Sequence, residues 1–346
     1  MAMGLLDRSR KLLPVAFLLL LTAVGVRTYL QAGPGSPIGL VPSPTIVYIK
    51  PGTGVQEIAR SLQEAGVIRS AWAFLALAYL QGSLSRLHAG EYEFNPAMPL
   101  REILRKLEGG RVVTHQVTIP EGFTAQEIGR LLAGERLVEP DRFATLTTDE
   151  ALAARLRVQA GSLEGYLFPD TYRLTRGMGE EETLRIMVSR FWQAIPRDYA
   201  DRAARVGLDL HGAVTLASLV EKEARLDRER RLVSAVFHNR LRRGMPLQSD
   251  PTAIYMVERP RRRITARDLQ QISPYNTYLV TGLPPGPIAN PGLASMEAAV
   301  DPAPVPYLYF VAKNDGSHQF SRTLEQHNRA VRLYRGSGRV KTEQAS

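Results

Sequence analysis

Cysteine is absent from this 346-residue chain. Its absence removes disulfides, thiolate catalysis and cysteine-ligated zinc together. It is compatible with a place outside the cytoplasm but does not require one. Also missing are a P-loop, a GxGxxG turn after a strand and an HExxH helix. No cofactor and no metal is therefore expected. Acidic residues run short, with 34 Asp and Glu against 44 Lys and Arg, which leaves a net charge of +10. Such a balance suits an anionic neighbour: nucleic acid, a phospholipid surface or an anionic wall polymer. The excess is mostly arginine, scattered and without a long basic block. A scattered excess describes a solvated surface better than a nucleic-acid groove, so no nucleic-acid partner is expected. A tethered nucleic-acid binder would instead show steeply salt-dependent binding.

What is present begins with a core: hydrophobic residues make up 44% of the chain. That fraction, at this length, predicts about two or three folded domains and excludes global disorder. Near the N-terminus, Arg8, Arg10 and Lys11 precede an apolar run from Leu12 to Val26. Carried on to Leu30, the run would give roughly 28 Å of helix. Arg27 can snorkel to the interface, and the flanking charges favour a cytoplasmic N-terminus. A cleaved signal peptide is the alternative, but "YLQAG" sets Leu30 where cleavage wants a small residue. A lipoprotein site would need cysteine. Residues 1–30 are thus read as a cytoplasmic tail and a single-pass anchor, with lipid contact through 12–30. The rest of the chain would then lie outside the cytoplasm. Residues 31–45, "QAGPGSPIGLVPSPT", follow as a semi-extended linker.

From Ile46 the composition changes, and an α+β fold class is expected. A strand, a turn containing proline and an "xEIxRxL" helix recur three times, around Glu57, Glu102 and Glu127. Thr53, Pro99 and Thr124 stand near the three helix starts. Repeated units of this kind usually stack on one another. They suit small modules that bind extended polymers, or they are simply a packed α+β domain. A helix-rich section follows Arg136, then "GSLEGYLFPDTYRL" and a long helical stretch over 181–205. A further helix starts near Thr215 and is expected to run on through "ERRLVSAVFHNRLRRGM". From Pro246 the chain is rich in Pro, Gly, Asn and Tyr, as functional loops on a scaffold are. "PYLYFVAK", "NDG" and "HQFSR" spell a β-hairpin before a terminal helix.

The segment "TLASLVEKEARLDRER" poses a chemical question. On a helix, Leu216, Leu219, Val220 and Glu223 share one face. Glu221 lies about 200° away. It has Arg225 four residues on, the order that makes a solvated helix pair. Glu223 instead has Leu219 and Val220 behind it and Asp227 four residues ahead. Apolar surroundings and a like charge both raise a carboxyl pKa. A carboxylic acid still protonated near neutral pH can serve as a general acid. The plainer alternative is a boundary glutamate with a basic partner from elsewhere. Around it in sequence are amides, hydroxyls and aromatics suited to a glycan. Gln248, Asn276 and Asn290 can bind sugar hydroxyls and acetamido groups. Tyr166, Tyr275 and Tyr278 can stack on pyranose faces.

Six segments together carry a resemblance: "LEGYLFPDTY" (163–172), "ASLVEKEA" (217–224), "FHNRL" (237–241), "MPLQSDPT" (245–252), "SPYNTYLVTGLPPGPIANPG" (273–292) and "PYLYFVA" (306–312). On these the chain resembles the MltG-type (YceG-like) endolytic murein transglycosylases, over nearly its whole length. The resemblance implies a LysM-like module at 46–112, a catalytic domain at 113–340 and a short tail at 341–346. It places the acid/base at the second glutamate of the E-K-E triplet, Glu223. It implies non-hydrolytic cleavage of the MurNAc-β-1,4-GlcNAc bond of nascent strands, leaving 1,6-anhydro ends and ending elongation. Peptidoglycan strands are then the principal partner, and a peptidoglycan synthase a further one by analogy. The alternative is a non-catalytic glycan-binding scaffold. One carboxylate suffices for such a lyase, so Glu164 and Asp170 are not expected to be essential. Glu164, Tyr166, Asp170, Asn239, Gln248, Ser249, Asp250, Tyr275, Asn276, Tyr278 and Asn290 are assigned to substrate binding or loop support.

Overall fold

A computed structural model describes residues 43–95, 98–255, 265 and 267–340, with side chains as far as 334 in the last helix. The expected anchor and most of the linker lie outside the described residues. Within them, no helix is long and apolar enough to cross a membrane. The chain is a mixed α+β protein, and among the described residues its sheets are three two-stranded pairs. It divides into two compact units.

The first unit holds residues up to His115 together with Arg173–Met178. Its order is β1 (Thr45–Ile49), α1 (Val55–Glu64), α2 (Ala71–Leu80), β2 (Gly90–Phe94) and α3 (Leu100–Glu108). β1 and β2 pair antiparallel, with Val47 opposite Tyr92. Alternation along the strands and the 3.6-residue period along the helices send Val47, Ile49, Ile58, Leu62, Phe74, Tyr92, Ile103 and Leu104 into one core. The first two strand-turn-helix repeats lie where the sequence sets them. Thr53, however, is not a cap: Gly54 holds that position in α1. The intervening helix α2 follows Ser70, whose hydroxyl accepts from the Ala73 amide at 3.3 Å. The repeat pattern had no place for it.

The second unit holds Gln116–Tyr172 and the chain from Gly179. The third repeat, β3 (His115–Thr118) and α4 (Ala125–Gly134), does not extend the β1–β2 sheet; β3 pairs with β4 (Thr171–Leu174). At α4, Thr124 and Glu127 form a reciprocal capping box. Short helices α5 (Pro140–Thr147) and α6 (Glu150–Arg155) come next. The long helical stretch is two helices, α7 (Glu180–Ala194) and α8 (Tyr199–Arg205), because Pro196 lacks the amide that would continue the ladder.

The remaining helices are α9 (Leu210–Glu223), α10 (Asp227–Arg242), α11 (Asp250–Ile254), α12 (Leu293–Val300) and α13 (Leu324–Val340). A hairpin of β5 (Tyr309–Ala312) and β6 (His318–Ser321) lies ahead of α13, as its sequence predicts. At the centre is α9, with every residue from Ala213 to Val220 buried. It packs against α8, α10, α11 and α12. A helix apolar on all sides has this place in a fold. The expected continuous helix breaks at residue 224, where Ala224 turns extended with ψ 116°. Asp227 therefore begins a new helix and is not one turn ahead of Glu223.

Candidate active site

Glu223 is the last residue of α9, so its side chain leaves a rigid, fully packed element at its rim. The residue is half-buried. The Ser249 hydroxyl donates to its Oε1 at 2.6 Å. Ser249 is itself placed by its own amide, which donates to Thr277 Oγ1 at 3.0 Å. Thr277 and Thr252 hydroxyls share a bond of 2.8 Å, and the Gln248 amide reaches the Thr277 carbonyl at 3.0 Å. Gln248 has φ 52°, a turn that aims the next residue at α9. Arg240 of α10 clamps this turn through the Pro246 and Leu247 carbonyls and Gln248 Oε1. Thr277 and Arg240 thus fix the turn that sets one hydroxyl, that of Ser249, against the Glu223 carboxyl.

Burial pushes the Glu223 carboxyl up to about 7. The Asp250 charge adds to the rise, and the Ser249 hydrogen bond opposes it. The like charge comes from Asp250, not from Asp227 as the helical spacing suggests. No cation pairs with Glu223 among the described residues. A carboxyl of this kind is populated in both forms near neutral pH, so it can give up a proton and take it back.

Glu221 is different, and not in the way its spacing suggests. It does not sit on a solvated face paired with Arg225. Its side chain is 7% exposed and meets Arg230 at 3.1 Å. The Gly292 amide donates to its Oε2 at 3.1 Å. α10 folds back after the break at 224 and delivers Arg230, which also bonds Asp227 and Ser295. Glu221 therefore fastens α9, α10 and the start of α12 together.

The other predicted residues divide among several places. Asp250 accepts from the Tyr278 hydroxyl and, with Gln248 and Ser249, belongs to the surroundings of Glu223. Glu164 lies in a second cluster. Both its oxygens accept from the Ala125 amide, at 3.0 and 3.1 Å, and the Tyr255 hydroxyl and Asn290 Nδ2 bond to it as well. Desolvation raises it to about 7 too, but four bonds and 6% exposure leave it no free side for a substrate. Tyr275 is half-buried beside it, its ring tilted 47° against that of Tyr255 with the centroids 4.8 Å apart.

Four assignments to sugar contact do not survive the fold. Tyr166 is 1% exposed, enclosed by Phe191 and His211, so no pyranose reaches its ring. Asn276 and Asn290 are both fully buried; the first bonds the Leu269 and Gln271 carbonyls, the second Leu167, Phe123 and Glu164. Asn239 Nδ2 is consumed by the Val305 and Tyr307 carbonyls. All four satisfy buried backbone groups or pack the core, the common use of such residues in turns. Asp170 is held by Arg190 and by the Thr171 amide, and this pair keeps its carboxyl below the usual range. It orders its loop. Thr252, Thr277, Arg240 and Tyr255 were not foreseen; nothing in the spacing of a threonine or arginine along a loop marks the residue it will touch.

The fold and site define an α+β protein with, among the described residues, one half-buried carboxyl at a helix end suited to acid–base chemistry, framed by loops. The YceG-like family profile matches residues 47–333, and the chain belongs to that family. The endolytic murein transglycosylase of Bacillus subtilis (strain 168) is 34% identical over 304 residues, covering 83% of this chain and 84% of the relative. That of Streptococcus pneumoniae serotype 2 (strain D39) is 30% identical over 320 residues. The match covers 82% of this chain but only 57% of that longer protein. The crystal structure of a yceG-like protein from Listeria monocytogenes superposes with a TM-score of 0.58 at 33% identity, covering 83% of this chain and 98% of that one.

Proposed function

We propose that the protein is a lytic transglycosylase that cuts peptidoglycan strands internally at the MurNAc-β-1,4-GlcNAc bond. The observation that carries this is the Glu223 carboxyl, raised to about 7, half-buried, and held by Ser249 with no cation on it among the described residues. Ser249 occupies Oε1, which leaves Oε2 to carry the proton. Glu223 protonates the GlcNAc O4 as its bond to the muramic C1 breaks through an oxocarbenium-like state. The muramic C6 hydroxyl then attacks C1 and returns its proton to Glu223. The nucleophile is tethered in the substrate, so a high effective molarity replaces an activated water. Most glycosidases need a second carboxylate to activate water or to form a covalent intermediate. Among the described residues the only other carboxyl raised to about 7 is Glu164, and its bonding capacity is already filled.

The remaining parts of the reading go together. Residues 12–30 anchor the chain in the cytoplasmic membrane, and the folded units work outside it on nascent strands, ending their elongation. The first unit acts as a LysM-like module; its β1-α1-α2-β2 order with an antiparallel pair supports this. A membrane position beside nascent glycan also favours contact with peptidoglycan synthases.

The test is digestion of uncrosslinked glycan by the full chain, with products weighed by mass spectrometry. Anhydro-ended fragments are expected. Ends heavier by one water would make it a hydrolase, and intact strands a scaffold. Glu223→Gln should remain folded and lose cleavage. Glu221→Gln should melt lower but still cut when assayed below its melting point. Equal loss of chemistry in both would refute the assignment.

A further inference from the structure

Helix α2, "AWAFLALAYL", carries no charged residue. Its inner side packs Phe74, Leu77 and Ala78 into the core of the first unit. The opposite side is equally apolar. Leu75, Tyr79, Trp72, Ala76 and Leu80 fall within an arc of about 140°. Trp72 is 83% exposed, Tyr79 73% and Leu80 72%. Apolar residues scattered singly on a surface need no explanation, but a contiguous patch marks an interaction site. Trp72, Ala76, Tyr79 and Leu80 are exposed at the i, i+4, i+7, i+8 spacing that lines one side of a helix.

We propose that this face of α2 rests in the interface of an anionic lipid bilayer. Three observations select lipid over the alternatives. First, the face offers two polar atoms, the Trp72 indole nitrogen and the Tyr79 hydroxyl, each at the edge of an apolar ring. Trp and Tyr are the residues enriched at the headgroup level, where one end is apolar and the other wet. A glycan site needs amides or carboxylates beside its rings, and this arc has none. Second, the exposed side chain of Arg69 lies just before the helix and no acid lies on α2; Arg86, further on in the chain, is already paired with Glu108 at 2.8 Å, so Arg69 is the cation at this face. That charge pattern complements anionic headgroups. Third, the linker of residues 31–45 joins the first unit to the apolar run 12–30. Fully extended, it spans at most about 50 Å. A domain on so short a tether meets the bilayer at high effective concentration, so even a weak apolar contact is populated. This third point rests on the proposed anchor; the first two do not.

Docking by α2 would hold the first unit flat against the membrane that delivers nascent glycan. The helix is too short to span and lies in the interface plane, its apolar arc sunk among headgroups and upper acyl chains.

The chain has two tryptophans, which makes a direct test possible. Trp192 belongs to the other unit and is fixed by its indole bond to the Leu156 carbonyl at 3.1 Å. The full chain is reconstituted in vesicles of phosphatidylglycerol and phosphatidylcholine, with and without brominated acyl chains. Emission is compared between Trp192→Phe, which reports Trp72, and Trp72→Phe, which reports Trp192. Should Trp192→Phe fail to fold, the difference between the unsubstituted chain and Trp72→Phe gives the same signal. Bromolipid is expected to quench Trp72 about twofold and to leave Trp192 unchanged. Equal, weak quenching of both in a chain that floats with the vesicles overturns the docking and leaves the anchor standing. Trp72 emission that answers to added glycan or to protein concentration, and not to bromolipid, overturns it in favour of those occupants. A chain that does not float removes the anchor, and the docking with it.

Discussion

Ser249→Ala tests whether the Glu223 proton limits the reaction. The substitution removes one hydroxyl, the donor on Glu223 Oε1 at 2.6 Å. The frame stays, because Ser249 is placed by its backbone amide on Thr277, and alanine keeps that amide. A hydrogen bond to a charged group is worth about 1.5–3 kcal/mol, and water at a half-open carboxyl will replace part of it. A remaining loss of about 1.4 kcal/mol raises the pKa by about one unit. The acid form must be present for bond cleavage, so kcat/KM falls as pH rises through the pKa of the free enzyme. In the unsubstituted protein that alkaline limb is expected with its midpoint at about 7. In Ser249→Ala it should move to about 8. Asp250→Asn should move it the other way, since it removes the like charge that helps raise Glu223. Asparagine can still accept from the Tyr278 hydroxyl. The assay is release of anhydro-ended fragments from glycan strands between pH 5 and 9. Limbs that stay put in both variants, or shift in the reversed sense, would refute the claim that Glu223 holds the transferred proton.

Two further outcomes concern the frame. Glu164→Ala leaves the Ala125 amide, the Tyr255 hydroxyl and the Asn290 amide without their shared acceptor. It should cost about 3–5 kcal/mol by urea denaturation at pH 7, and a cost under about 1 would contradict the bonding described. Gly165 has φ +86°, and a Cβ there would lie 2.4 Å from Pro287 Cγ and 3.0 Å from Val214 Cγ1. Gly165→Ala should cost about 3 kcal/mol or more, while Gly207→Ala, at φ +82° in open space, should cost about 1. Equal melting temperatures for the two would show that the contact with Pro287 is soft.

Much of the architecture is local and was therefore legible. The capping box at Thr124 and Glu127, the hairpin around "NDG" and the strand-turn-helix repeats all follow from residues within a few positions of one another. Where the sequence pattern misled, a competing local rule was at work. The 215–242 pattern is helical throughout, yet the chain turns at 224 because tertiary packing overrides propensity. The third repeat looks like the first two, yet its strand found β4, since strand pairing is settled by whichever edge the fold presents. Helix α2 was invisible to a search for amphipathic periods because it has no polar side.

The sequence by itself determined that an α+β chain would carry Glu221 and Glu223 at the end of an apolar helical run, amid loops rich in amides and tyrosines. Only the tertiary structure decided which glutamate is free. Arg230 reaches Glu221 from nine positions on, and Ser249 reaches Glu223 from 26. It also turned Asn290 and Tyr166 from sugar ligands into supports, through partners 123 and 45 residues away. The physical reason is range. Periodicity and caps act over one or two helical turns, whereas burial, charge pairing and hydrogen-bond satisfaction depend on segments that meet only when the chain has closed on itself.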